Sequence, residues 1–227
     1  MTADLPALVF DVNETLLDLE SVAPVFERIF GEARVMREWF AQLILYAEVL
    51  TLTGGYRPFG ELGGAVLRMV GQTHDVAIGE ADISELREAI AGMKPHPEVA
   101  GALVRLQEAG FRLFTMTNNP RVTAEAQLEK AGIADLFERR FSIDDEVRLY
   151  KPAPQTYAAV AAEIGLPPAR LCMIACHTWD TIGALAAGWE AALILRSGNA
   201  PLPLGAQPAI IGRDLDEVAA GLMARFA

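Results

Sequence analysis

The sequence predicts an α/β fold: a mostly parallel sheet covered by helices on both faces, interrupted near its start by an all-helical insertion. Three features of the chain lead there. Ala7, Leu8, Val9 and Phe10 form an apolar run that reads as a short buried strand, and Asp11 follows it directly. From Met93 onward, strand-like runs alternate with helix-like stretches at the spacing of βαβ units. Between residues 20 and 92 the alternation stops and only helical periodicity is found. The expected division is a core of residues 1–19 and 93–227 with a helical cap of residues 20–92.

A chain of 227 residues suffices for one substantial core and a smaller second unit. Its 52% hydrophobic and 22% charged residues strike a globular balance. A net charge of −11, with no basic tract, argues against nucleic acid or an anionic membrane as partner. A small anionic substrate stays compatible, because one Lys or Arg can reverse the field inside a cleft. No apolar stretch reaches transmembrane length, and Asp4 and Asp11 interrupt the N-terminal segment. Neither a membrane span nor a secretory leader is therefore expected. Cys172 and Cys176 do not form a CxxC pair. They are expected as reduced, packed thiols of a cytoplasmic protein.

Inside the insertion, Val22, Val25, Phe26, Ile29 and Phe30 recur at helical spacing. A second helix is expected over residues 35–52, with Met36, Trp39, Phe40, Leu43, Ile44 and Ala47 apolar; Gly54, Gly55 and Pro58 end it. Residues 59–70 and 83–90 add two helical stretches, which makes the insertion a small bundle. In the core, Pro97 suits the first turn of a helix that runs to residue 109 and stops at Gly110. Residues 111–117 read as the second strand and residues 122–131 as a helix closed by Gly132. A third short strand is expected at 141–143, a helix at 154–164 and a fourth strand at 171–175. A helix at 181–187 and a fifth strand at 191–195 follow. The tail adds a strand at 209–211 and a helix from Leu215.

The candidate chemistry sits at strand ends. Asp11 ends the first strand, where open α/β sheets bind their ligands. It either caps a turn or stands in a cleft as a reactive carboxylate, with Asn13, Glu14 and Thr15 beside it. Thr117 and Asn118 end the second strand, as plain turn residues before Pro120 or as donors into the same cleft. Lys151 lies between Tyr150 and Pro152, from where an ammonium can reach a carboxylate. Asp180 closes the run Ala175-Cys176-His177-Thr178-Trp179-Asp180 at a strand-to-helix junction. It either satisfies donors in the helix's first turn or faces the cleft.

Residues 8–18, LVFDVNETLLD, resemble the nucleophile motif of the haloacid dehalogenase-like hydrolase superfamily. The set as a whole is most similar to its L-2-haloacid dehalogenase branch, often labelled type II. The resemblance implies a Rossmann-like parallel core with an inserted helical cap, in which the aspartate matching Asp11 attacks the substrate carbon. Thr117 and Asn118 match the pair that holds the substrate carboxylate. Lys151 matches the lysine that orients the nucleophile, and Tyr157 a tyrosine further on. Trp179-Asp180 looks like the dehalogenase version of the last motif, while Tyr56 and Phe59 resemble aromatic positions of the cap. The implied catalytic set is Asp11, Lys151, Asp180, Thr15 and His177. The implied substrate-binding set is Asn13, Thr117, Asn118, Phe40, Tyr56, Phe59, Tyr157 and Trp179. No metal and no cofactor are expected, the partner is a small halogenated carboxylic acid, and a homodimer is implied.

The departures from the family pattern decide between reactions. Phosphatases of the superfamily carry a second Asp two residues after the nucleophile and a magnesium-binding acid before the last Asp; here those positions hold Asn13 and Cys176. A hard magnesium ion prefers oxygen to a thiol. A carbon–halogen bond needs neither the metal nor protonation of an alkoxide. The activity that the resemblance implies, and that these two absences favour, is hydrolysis of short L-2-haloacids to D-2-hydroxy acids through an aspartyl ester. Other departures leave alternatives open. Family dehalogenases place Ser where Ala175 stands, Asn where His177 stands, and a halide-gripping Arg where Phe40 follows Trp39. Arg37 lies on a different face of that helix. Either His177 and aromatic edges take over the halide, or the activity differs. The alternatives are a phosphate-ester hydrolase of the same superfamily and a noncatalytic relative that binds a small carboxylate.

Overall fold

The computed structural model describes residues 5–226; the outer ends of the expected core, residues 1–4 and 227, lie outside that range. Six strands form one sheet: β1 (Ala7–Phe10), β2 (Leu113–Thr117), β3 (Arg139–Ser142), β4 (Leu171–Ala175), β5 (Glu190–Ile194) and β6 (Ile210–Gly212). Their order is β3-β2-β1-β4-β5-β6, and every neighbouring pair is parallel. β1, β2 and β4 are buried at every position. Leu8 and Phe10 pack into one core, and Ala7 and Val9 into a second core on the opposite face. Such two-sided burial is why β1 and β4 read as continuous apolar runs rather than alternating ones.

The helices follow the same logic. Residues 20–92 hold α1 (Ala23–Phe30), α2 (Val35–Thr53), α3 (Phe59–Thr73) and α4 (Glu80–Ala91), with no strand among them. Gly54, at φ +71°, stops α2 and donates to the Leu50 carbonyl. The indole of Trp39 donates to the Gly63 carbonyl at 3.0 Å, pinning α2 to α3. Around the sheet lie α5 (Val99–Glu108), α6 (Arg121–Lys130), α7 (Ile143–Glu146), α8 (Pro154–Ile164), α9 (Thr178–Ala186) and α10 (Leu215–Phe226). No helix among the described residues is long and apolar enough to cross a membrane.

Several element boundaries depart from expectation; α4, for example, begins at Glu80 rather than residue 83. β3 stops at Ser142, because the Ser142 hydroxyl accepts the Asp145 N–H at 3.3 Å and starts α7 there. β2 begins at Leu113; Gly110 turns at φ +92° and Phe111 still donates to the Leu106 carbonyl of α5. α9 begins at Thr178, three residues earlier than expected, which puts Trp179 and Asp180 in its first turn.

The chain builds outward from β1 to β3 and then crosses back to lay β4 on the other side of β1. The reversal opens a crevice at the carboxyl ends of β1 and β4. In a doubly wound sheet this is the topological switch point, where ligands bind.

Candidate active site

Asp11 is the first residue beyond β1. Its N–H donates to the Ile174 carbonyl of β4 at 3.0 Å, so the backbone is still held by the sheet where the carboxylate enters the crevice. The chain then doubles back, with Leu16 and Leu17 both donating to the Val12 carbonyl. That turn brings the Thr15 hydroxyl to Asp11 Oδ2 at 2.7 Å. The same hydroxyl accepts the Cys176 N–H at 3.0 Å, tying the ends of β1 and β4 together.

Lys151 approaches from the other side and is buried. Each of its three ammonium protons has an acceptor: Asp11 Oδ1 at 2.9 Å, Asp180 Oδ2 at 2.6 Å and the Met116 carbonyl at 3.0 Å. Its own N–H donates to Asn118 Oδ1 at 3.1 Å. Asp180 is fully buried behind the lysine and accepts the Tyr157 hydroxyl at 2.6 Å. Gly183 makes that approach possible, since a Cβ there would lie 2.5 Å from the Tyr157 hydroxyl oxygen.

His177 bridges two carboxylates. Nδ1 lies 3.1 Å from Asp11 Oδ2 and Nε2 lies 2.8 Å from Glu14 Oε2. Its ring stacks on Trp179 at 4.9 Å. Glu14 is buried in the left-handed region at φ +65°, an unfavourable conformation for a residue with a side chain. The partners of its carboxylate offset that cost: beside His177 it receives the Arg37 guanidinium and the Asn199 amide, the latter at 2.8 Å. Three buried acids, Asp11, Glu14 and Asp180, thus meet three cations, Lys151, His177 and Arg37.

The charges set one another's protonation. Burial opposes ionisation of Asp11, but the Lys151 charge and the hydrogen bonds from His177 and Thr15 outweigh it and hold the carboxyl below its usual range. Burial likewise opposes a charged His177, yet Cys176, Asp11 and Glu14 carry its pKa well above the ordinary value. Lys151 is raised: burial works against it, and the Asp11 and Asp180 carboxylates prevail. Asp180 is raised by burial. The nucleophile candidate is an anion, and both of its nearest basic partners are cations.

Asn13, Phe40, Ile44, Phe59, Thr117, Asn118, Lys151, His177 and Trp179 wall a small pocket against Asp11. Most of the expected site residues are thereby brought together. Thr15 and Asp180 are hydrogen-bonded behind this wall rather than on it. Tyr157 and Tyr56, both expected against substrate, are placed elsewhere. Tyr157 is fully buried behind Asp180. Tyr56 stacks on Tyr150 at 5.5 Å and gives its hydroxyl to Asp144. The buried Asp144 carboxylate claims it, and also accepts the Phe59 N–H at 3.0 Å, which fixes the start of α3 beside the pocket. Sequence reasoning assigned no role to Glu14, Asn199 or Asp144; only the fold brings their partners within reach.

Ligand atoms of Asp11, Cys176 and His177 lie within 4.8 Å of one another. They fit magnesium poorly. Both Asp11 oxygens are already occupied by donors, one an ammonium, and burial raises the Cys176 thiol pKa. The arrangement suits nucleophilic chemistry instead. A desolvated, ionised carboxylate held by three donors at the floor of a pocket ringed by aromatic side chains can attack an electrophilic carbon.

Known proteins resemble the chain along most of its length. The chain is 27% identical over 222 residues to (S)-2-haloacid dehalogenase H-109 of Pseudomonas putida, spanning 96% of this chain and 98% of that one. It is 30% identical over 206 residues to haloacetate dehalogenase H-2 of Moraxella sp. (strain B), spanning 90% and 92%. A crystal structure of an L-2-haloacid dehalogenase superposes with a TM-score of 0.89 at 31% identity, covering 96% of this chain and 98% of the other. The family model for haloacid dehalogenase-like hydrolases matches residues 5–188, and the chain belongs to that family.

Proposed function

We propose that the protein hydrolyses the carbon–halogen bond of short L-2-haloacids, releasing halide and the D-2-hydroxy acid. The observation that carries this is the Asp11 carboxylate, ionised and gripped by Lys151, Thr15 and His177 in an apolar-walled pocket. Thr117 and Asn118 hold the substrate carboxylate at the pocket's polar side, which sets C2 within reach of Asp11. An Asp11 oxygen forms the new C2–O bond as the halogen leaves with its bonding pair, in line and with inversion. Esterification removes the negative charge of Asp11, so the Nδ1–H of His177 loses its anionic acceptor. Because that charge passes to the halogen in the same step, the donor shifts to the departing halide as the C2–halogen bond breaks, in the role that an arginine at the Phe40 position has in the family pattern. Phe40 and Trp179 supply the aromatic edges around it. Water next attacks the Asp11 carbonyl carbon. Backbone N–H groups near Asn13 stabilise the oxyanion, and Asp180 takes one proton from the water. Collapse of the tetrahedral intermediate breaks the bond between the Asp11 carbonyl carbon and the ester oxygen. His177 protonates the departing alkoxide, and the remaining proton on the regenerated Asp11 carboxyl returns to His177. Lys151 holds Asp11 in place throughout, and Tyr157 acts through Asp180.

The helical segment 20–92 acts as a cap that covers the pocket through Phe40, Ile44 and Phe59. A second copy of the chain covers the exposed apolar stripe of Leu45, Val49 and Leu52 on α2, giving a homodimer. The catalytic reading is tested by a panel of short L-2-haloacids and phosphate esters. Halide release from the haloacids is expected. Phosphate release, or binding without turnover, contradicts it.

A further inference from the structure

The pocket against Asp11 is too small to hold a substrate by itself. Its free volume is about 20 Å³, room for roughly one water. Beside it lies a cavity of about 500 Å³, between α2, α3 and α4 on one side and α6 on the other. Asn13, Phe40 and Phe59 line both volumes, so the two meet at those residues. The large cavity is walled by Trp39, Leu43, Ile83 and Leu86 among other apolar groups, and Arg87 is the one charged residue on its described wall. Gly60, Gly63 and Gly64 fall on one face of α3. A Cβ at Gly63 would touch Trp39 at 3.5 Å and one at Gly64 would touch Ile83 at 3.2 Å, so these two let the neighbouring helices pack close at the cavity wall. A Cβ at Gly60 would meet nothing within 4 Å. A volume of this size and polarity is typical of a small-molecule site.

We propose that this cavity holds an apolar arm of the substrate, so that the enzyme takes 2-haloacids with an extended alkyl or aryl substituent and favours them over the shortest acids. This rests on the dehalogenase reading of Asp11. With the carboxylate at Thr117 and Asn118 and C2 at Asp11, the rest of the acid passes between Phe40 and Phe59 into the apolar volume. An arginine in place of Phe40 would set a charge at that passage; the aromatic ring leaves it apolar. Burial of the arm then contributes binding in proportion to its length.

The test is the dependence of kcat/KM on chain length, from (S)-2-bromopropionate to (S)-2-bromooctanoate. Each added methylene is expected to raise kcat/KM roughly threefold until the cavity is full, so the eight-carbon acid exceeds the three-carbon acid at least about tenfold. Two variants narrow the cavity from opposite walls, Gly60→Leu and Ala126→Leu. Both positions are exposed at its rim, so the larger side chains leave the core packing intact. Each is expected to cut the eight-to-three-carbon ratio at least about fivefold. Halide release from bromopropionate with a flat or falling series, or a ratio that neither variant changes, overturns this inference alone. No halide from any member of the series overturns the reading beneath it.

Discussion

The ring of Phe40 lies 5.4 Å from the imidazole of His177, tilted by 34°. An aromatic wall thus faces a buried histidine at the place where the family pattern has a guanidinium. If His177 is the cation that receives the halide, its charge matters and its hydrogen bond alone does not suffice. We expect His177→Asn to lower kcat for halide release about 100-fold, with a larger loss for chloride than for bromide. The substitution restores the residue usual in the family pattern. A fully active Asn variant, measured on 2-chloro- and 2-bromopropionate, would assign the halide to other groups.

Glu14 should tune that histidine. Removing its charge with Glu14→Gln is expected to lower the His177 pKa and shift the alkaline limb of the kcat–pH profile down by about one to three pH units. The sign follows from the raised pKa of His177 in the folded protein. The stabilisation it provides is present below the ordinary histidine pKa and is lost as pH rises through the raised one. The variant should therefore also lose stability at lower pH than the parent does. An unmoved alkaline limb would separate Glu14 from the chemistry.

Much of this architecture is legible in the sequence, and the reason is burial. β1, β2 and β4 are covered on both faces, which leaves uninterrupted apolar runs in β1 and β4 and a run broken only by Thr115 in β2, and Asp11, Thr117 and the Cys176-to-Asp180 junction stand at their ends. Lys151 is legible from its setting beside Pro152. The Glu14–His177–Arg37 chain is not. It depends on a left-handed turn at Glu14 and on partners 23 and 163 residues away. Tyr56 shows the converse. Its residue type suits a binding wall, but a buried carboxylate 88 residues away takes its hydroxyl.

Lys151 separates the buried carboxylates Asp11 and Asp180. Lys151→Met should leave Asp180 without a cation and Asp11 with His177 alone, and cost about 3–5 kcal/mol of stability, together with nearly all turnover. Denaturant unfolding checks the first part. The double variant Lys151→Met/Asp180→Asn should recover part of the stability and none of the activity. A stable single variant would mean that water reaches the pair.

The exposed α2 stripe predicts association. Leu52 is 86% exposed, and Leu52→Glu should shift the chain from dimer toward monomer in sedimentation. A parent protein sedimenting only at 24.5 kDa would reject the dimer.

The covalent role of Asp11 has the most direct test. In a single turnover with enzyme in excess, run in heavy-oxygen water, the label should enter the Asp11 carboxylate and the hydroxy acid should be released unlabelled. Label appearing in the hydroxy acid on that first turnover, with Asp11 unlabelled, would mean that water attacks C2 and that Asp11 is not the nucleophile.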